Sequence, residues 1–158
     1  LVVGNTPGTD TKLDENRIKG YKNFANKLWN ITRFILENTA DADRSAPRTD
    51  TDQALRAELD GIIADLTKDM DEFRIYLGAE KIYHYAWDRL AAEILEDSKK
   101  IFASDDDAAK ASRKATLHSL LRDVLKVIHP FMPFVTEEIW QSLPDSQGML
   151  MVSPWPAS

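Results

Sequence analysis

The residues with chemical potential sit together in one stretch, residues 14–38. At about 100° per residue, a helix through this stretch places Lys19, Asn23, Asn26, Lys27, Asn30 and Arg33 on one side. Phe34 points between Asn23 and Lys27, into the same polar sector. Such a face suits unpaired RNA. A cation neutralises phosphate, an amide reads a base edge or the backbone, and an aromatic ring stacks on a base. The same face also suits a solvated helix whose Phe34 packs under a neighbouring loop. The pattern alone leaves both readings open.

Other chemistries find little support. The 158 residues contain no Gly-rich phosphate loop, no nucleophile elbow and no His-x-x-x-His. Cysteine is absent, which excludes a disulfide framework and a Cys-based zinc site. His84, His118 and His129 are isolated in sequence and form no metal-ligand cluster, and His118 and His129 read as structural. Asp105, Asp106 and Asp107 are consecutive, so they share no helix face and fit capping better than metal binding. No catalytic residue and no metal ligand is assigned. The net charge of −6 argues against wholesale nucleic-acid binding, yet its distribution is uneven. Residues 12–33 hold six basic and two acidic side chains, a local +4, while residues 52–107 hold seven basic and fifteen acidic, a local −8. One basic helix edge on an acidic protein is the expectation. No apolar run approaches the roughly 18 residues of a membrane span. The start carries no secretory leader and no initiator Met, so a cytoplasmic piece of a larger chain is expected.

Several amphipathic helices must position that edge. Asp14 suits an N-cap for the first, whose buried stripe runs through Ile18, Tyr21, Phe24, Ala25, Leu28, Ile31, Thr32, Ile35 and Leu36. Residues 39–51 read as a loop. The second helix is expected over 52–77, with Leu55, Leu59, Ile62, Ile63, Leu66, Met70, Phe73 and Leu77 as its seam and Gly78 as a stop or kink. A third follows over about 79–102, with Tyr83 and Trp87 in the core, and a fourth over about 108–128. Pro130 ends the fourth, and Pro133 opens a short fifth helix with Glu137 and Glu138 early in it. The tail reads as loop with a short extended segment at 149–152. The fold class is therefore all-α, a bundle of four long helices plus one short C-terminal helix. It divides into a linker over 1–13, the bundle over 14–144 and a C-terminal extension over 145–158.

Three stretches carry a resemblance: RIKGYKNFANKLWNITRFIL in the first helix, HPFMPFVTEEIWQSLP at the fourth-to-fifth junction, and MVSPWP near the end. Together they resemble the anticodon-binding domain of class I aminoacyl-tRNA synthetases, and the valyl branch most closely. The second stretch is shared by valyl, isoleucyl and leucyl members. The first and third shift the weight to valyl, and GNTPGTD before the first helix looks like the link leaving that family's catalytic region. Two stretches depart from the pattern. Many relatives begin the second helix with Asp-Arg-Trp-Ile-Leu, where this chain has Asp52-Gln53-Ala54-Leu55-Arg56. Many have Cys-Asp-Trp-Tyr in the third, where this chain has Ala91-Ala92-Glu93-Ile94.

The resemblance implies a bundle that grips a tRNA anticodon stem-loop. Lys27 and Phe34 match the positions where the family sets a cation and an aromatic against the anticodon loop, and Asn23, Asn30 and Arg33 would add contacts. It also implies a parent enzyme that activates valine with ATP and Mg2+ and transfers it to tRNA(Val). The HIGH and KMSKS signatures are missing from this chain, so it is expected to be inactive alone, to need no cofactor, and to be monomeric. Its partners would be tRNA(Val) and the parent's catalytic domain, with no membrane. The same domain of an isoleucyl or leucyl enzyme and a helical protein-interaction module remain alternatives.

Overall fold

The helix over Asp107–Ile128 is the axis of the molecule. A computed structural model describes residues 15–156, the side chains of Asn16 and Arg17 excepted. The expected linker over 1–13 and the Asp14 cap lie outside the described residues. Helix α1 spans Glu15–Thr39 and α2 spans Asp50–Asp71. Next comes one continuous rod made of α3 (Ile75–His84), a π-helical stretch (Tyr85–Ile94) and α4 (Leu95–Phe102). Helix α5 covers Asp107–Ile128, α6 covers Pro133–Ser142, and a 3-10 turn covers Leu150–Val152. No strand occurs among the described residues. Four long helical elements and one short one form the all-α bundle that the hydrophobic spacing implies.

Cross-links show how the elements run. Thr49 N donates to Ser112 Oγ at 2.9 Å, and Arg56 reaches Ser119 and Asp123 further along α5. Helix α2 is thus parallel to α5. Lys114 holds Asp41 just past the end of α1, while Tyr21 lies beside Phe131–Val135, so α1 is antiparallel to α5. Every long element packs on α5, whose Leu117, Leu120, Leu121, Val124, Leu125, Val127 and Ile128 are almost fully buried. Phe24, Leu28, Ile31 and Ile35 of α1 and Leu55, Leu59, Ile63 and Leu66 of α2 complete the core.

Capping follows the expected chemistry at two helices. Thr49 caps α2 by accepting from Asp52 N, and Asp106 caps α5 by accepting from Ala109 N at 2.9 Å. The aspartate run is therefore used for capping. Polar groups also enter the core. Arg113 Nε donates to Asp52 Oδ1 at 2.5 Å, with both side chains almost fully buried. Ser112 donates to the other Asp52 oxygen, and Arg113 Nη1 donates to Ser98 at 3.1 Å. This network joins the start of α2, the middle of α4 and the start of α5.

Several local expectations need correction. Helix α2 stops at Asp71 rather than at 77, and the next helix begins at Ile75, ahead of Gly78. The stop is a Schellman motif: Phe73 N donates to Met70 O and Arg74 N to Asp69 O. Phe73 sits in its left-handed position at φ 57°, is 85% exposed, and belongs to no seam. Gly78 is buried inside α3, where a Cβ would lie 3.2 Å from Leu66 Cγ, so it permits close approach rather than a stop. Ile18, assigned to the buried stripe, is 49% exposed. The tail forms a 3-10 turn instead of an extended segment, because Leu150 is buried and Glu137 accepts from Leu150 N at 3.0 Å and Met151 N at 3.3 Å. Glu137 therefore fastens the tail rather than serving the first turn of α6.

Two of the histidines, His118 and His129, tie elements together, whereas His84 lies on the surface. His118 is buried, 3.3 Å from Asp145, whose carboxylate also pairs with Arg44 and Arg122 at 2.8 Å. Burial pushes the His118 imidazole below its ordinary pKa despite the nearby Asp145. His129 contacts Thr136 at 2.8 Å and His84 contacts Asp88 at 2.8 Å. Among the described residues, no group of three or more His, Cys, Asp or Glu is placed to hold a metal.

Removing one partner of a buried pair strands the other charge, which costs about 3–5 kcal/mol. Asp52→Ala is expected to lower stability by that amount in urea unfolding, whereas Lys100→Ala, which breaks an exposed pair with Asp97, is expected to change it by under about 1 kcal/mol.

Candidate nucleic-acid interface

The polar sector of α1 borders a groove against the rod. Lys27, Asn30 and Phe34 form one wall, Glu96 and Lys99 of α4 the other, and Ile31, Ala91 and Leu95 the floor. Its volume is about 220 Å³. Phe34 is half-buried and packs on the core, with Lys99 Nζ 5.8 Å from its ring centre. The sequence left two possibilities for Phe34, a stacking platform or a packed ring. It is partly packed, against a helix rather than a loop, and it also lines an open groove.

Lys27 is held by aromatic packing beneath it. Its Nζ lies 5.4 Å from the centre of the Trp87 ring. Trp87 stacks near Tyr83, with centroids 5.9 Å apart, and near Phe24, with centroids 6.1 Å apart. Phe24 is buried in the core, while Tyr83 and Trp87 are half-buried. Trp87 therefore both packs and supports Lys27. A cation over an indole at a partly exposed site gains about 0.5–1 kcal/mol. That is enough to bias the lysine's position and too little to prevent it from engaging an anion.

The rod's winding aligns its side of the groove. Trp87, Ala91, Leu95 and Lys99 are spaced four apart, and all meet α1 side chains. In an α-helix, residues four apart overshoot a full turn by about 40°. The i→i+5 bonding of a π stretch takes more residues per turn, so the same step falls short. Passing from π to α winding keeps the four positions within a narrower sector than uninterrupted α winding would.

The remaining candidates lie beside the groove rather than in it. Asn23 is exposed on the same face one turn before Lys27. Arg33 is exposed, donates to Asn30 Oδ1 at 3.4 Å, and lies 4.0 Å from Glu37. Of the five, the structure gathers Lys27, Asn30 and Phe34 around one opening and leaves Asn23 and Arg33 at its margin. Sequence reasoning missed Lys99 and the part played by Trp87. The four-residue spacing was visible, but without the π winding it does not single out one face.

Comparison with known proteins identifies the family of the bundle. Residues 52–158 match the family model described as the anticodon-binding domain of tRNA ligase. The chain is 37% identical over 160 residues to a valine--tRNA ligase of Carboxydothermus hydrogenoformans, covering 99% of this chain and 18% of that protein. It is 34% identical to one from Geobacillus stearothermophilus, with the same coverage, and 41% identical over 151 residues to one from Syntrophotalea carbinolica, covering 92% of this chain and 17% of that protein. The chain thus spans under a fifth of the length of these relatives.

Half-burial sets the expected stability of the groove residues. Phe34→Ala is expected to cost about 1–2 kcal/mol, below the roughly 3–5 kcal/mol of a fully buried ring. Lys27→Ala is expected to cost under about 1 kcal/mol. Urea unfolding with helical circular dichroism checks both; loss of the fold in either variant would make that residue part of the core.

Proposed function

Since the chain belongs to the family of anticodon-binding domains of tRNA ligases, we propose that it recognises the anticodon loop of tRNA(Val) as part of a valine--tRNA ligase. The observation that carries this reading is the groove itself, where a half-buried aromatic stands between two lysines on the edge of an otherwise acidic protein. Phe34 offers a ring for an unpaired base. Lys27 and Lys99 offer charge to the phosphates beside it. Asn30, with Asn23 and Arg33 at the margin, offers donors and acceptors to base edges or backbone.

The bundle's task is selection and placement. Within the longer ligase it holds one end of the tRNA so that the acceptor end reaches a separate active site. That site, with its ATP and Mg2+, belongs to the rest of the polypeptide, and the bundle alone carries out no aminoacylation. No helix among the described residues is long and apolar enough to cross a membrane. Work on tRNA in the cytoplasm, as a monomeric unit beside the catalytic domain, completes the reading.

Binding measurements with the full ligase test it. Stacking on one base is worth about 1–3 kcal/mol, so Phe34→Ala is expected to weaken tRNA(Val) binding roughly 5- to 150-fold at unchanged salt dependence. Lys27→Ala is expected to weaken binding and to reduce the slope of log K against log salt by about 0.7, the value for one single-strand phosphate contact. Anticodon-substituted tRNA(Val) is expected to lose affinity with the unmodified enzyme and to lose little more with Phe34→Ala. Equal affinity for every anticodon would overturn the reading.

A further inference from the structure

A second cavity, of about 240 Å³, opens between the loop over 40–49, the middle of α5 and the turn after α6. It shares no residue with the groove against α4. Arg44 and Arg48 line it from the loop, His118 and Arg122 from α5, and Asp145 from the turn. Three guanidiniums thus converge on a chain of net charge −6. Asp123 also borders the cavity, but Arg56 and Lys126 already hold it. Asp145 is the carboxylate left to face the three arginines.

Asp145 serves the site incompletely. Its Oδ2 lies 2.8 Å from both Arg44 Nη1 and Arg122 Nη1. Its Oδ1 lies 3.3 Å from His118 Nε2, and both atoms are buried without a hydrogen-bond partner. The His118 side chain is 5% exposed. Buried polar atoms left unmet are costly and uncommon, so this pair points to a seat that its present occupant does not fill. Arg48 donates from Nε to Thr116 Oγ1 at 3.3 Å, and among the described residues no carboxylate pairs with it. One of the three cations is therefore not neutralised.

We propose that this cavity binds a phosphate group, which takes the place of the Asp145 carboxylate. Guanidinium forks match phosphate oxygens as they match a carboxylate. A carboxylate offers two oxygens, whereas a terminal phosphate offers three free ones, enough to meet Arg44, Arg48 and Arg122 together. A neutral imidazole can donate from Nε2 to the same group. The recess at His118 favours a terminal phosphate over an RNA backbone, whose chain would have to enter and leave on two sides. Asp145 can yield its place, because the turn that carries it is also held within itself: Ser146 N and Oγ donate to Leu143 O at 3.2 and 3.0 Å. Inorganic phosphate and a nucleoside monophosphate share the chemistry required.

Titration of the isotopically labelled chain with inorganic phosphate, at constant ionic strength, tests this through the arginine Nε–Hε resonances. The signals of Arg44, Arg48 and Arg122 are expected to shift and saturate. AMP is the second probe: binding at least as tight as phosphate supports a nucleotide as the source, and binding of phosphate alone supports the free ion. Arg48→Gln is expected to weaken phosphate binding roughly tenfold. Asp145→Asn removes the competing carboxylate and is expected to tighten it roughly tenfold, with phosphate raising the melting temperature of this variant more than that of the unmodified chain. Circular dichroism shows whether each variant is folded, and Arg48→Gln decides the matter if Asp145→Asn is not. Shifts that grow without saturating mean an adventitious ion only and overturn the proposal. Affinity unchanged by Arg48→Gln overturns it too. A stem-loop RNA without terminal phosphates that moves these signals at lower concentration than phosphate overturns it in favour of a backbone contact.

Discussion

The buried pair between Asp52 and Arg113 is the constraint on which the groove's shape depends. Two charges with almost no solvent contact are tolerated only when their remaining donors and acceptors are met. Ser112 and Ser98 meet them, and Ser98 belongs to α4, the helix that supplies Glu96 and Lys99. The same network fixes where α2 starts. Apolar packing alone would allow α4 to slide or rotate along α5 with modest loss, because hydrophobic contact is non-directional. Directed hydrogen bonds to Arg113 remove that freedom and set the wall opposite α1.

The other wall is set by packing. Ile31 and Ile35 are buried, and Phe34 lies between them in sequence, so their burial places Phe34 at the boundary of the core. It is neither fully inserted nor free to swing into solvent. A ring held this way loses little conformational freedom when a base stacks on it, and preorganisation of this kind is where much binding affinity resides. Lys27 resting on Trp87 and Lys99 near Phe34 extend the arrangement to charge. The acidic residues of the second and third helical elements leave this edge as the place where a polyanion meets least repulsion.

Much of this was legible in the residue order. Three-four spacing located the helices, and the prolines around 130–133 located the last junction. A helical wheel placed Lys27, Asn30 and Phe34 together, because α1 is regular through that region. The misses have physical causes. The Schellman stop at Phe73 carries no glycine, so the apolar seam of α2 seemed to run on through it. Gly78 looked like punctuation, yet its role is contact with Leu66, which spacing cannot reveal. The π stretch contains no proline or glycine to mark it, so Trp87 and Lys99 could not be put in a common sector with Ala91 and Leu95. Ile18 fitted the periodic stripe, but at the start of α1 it is left exposed.

On the proposed function, RNA enters the cleft between α1 and the rod. Amide chemical-shift mapping with an isotopically labelled chain and a valine-acceptor anticodon stem-loop tests it most directly. The largest changes are expected on residues 23–34 and 91–99, with residues 131–135 and 72–74 unmoved. Changes centred on residues 131–135, or none at saturating RNA, would contradict it.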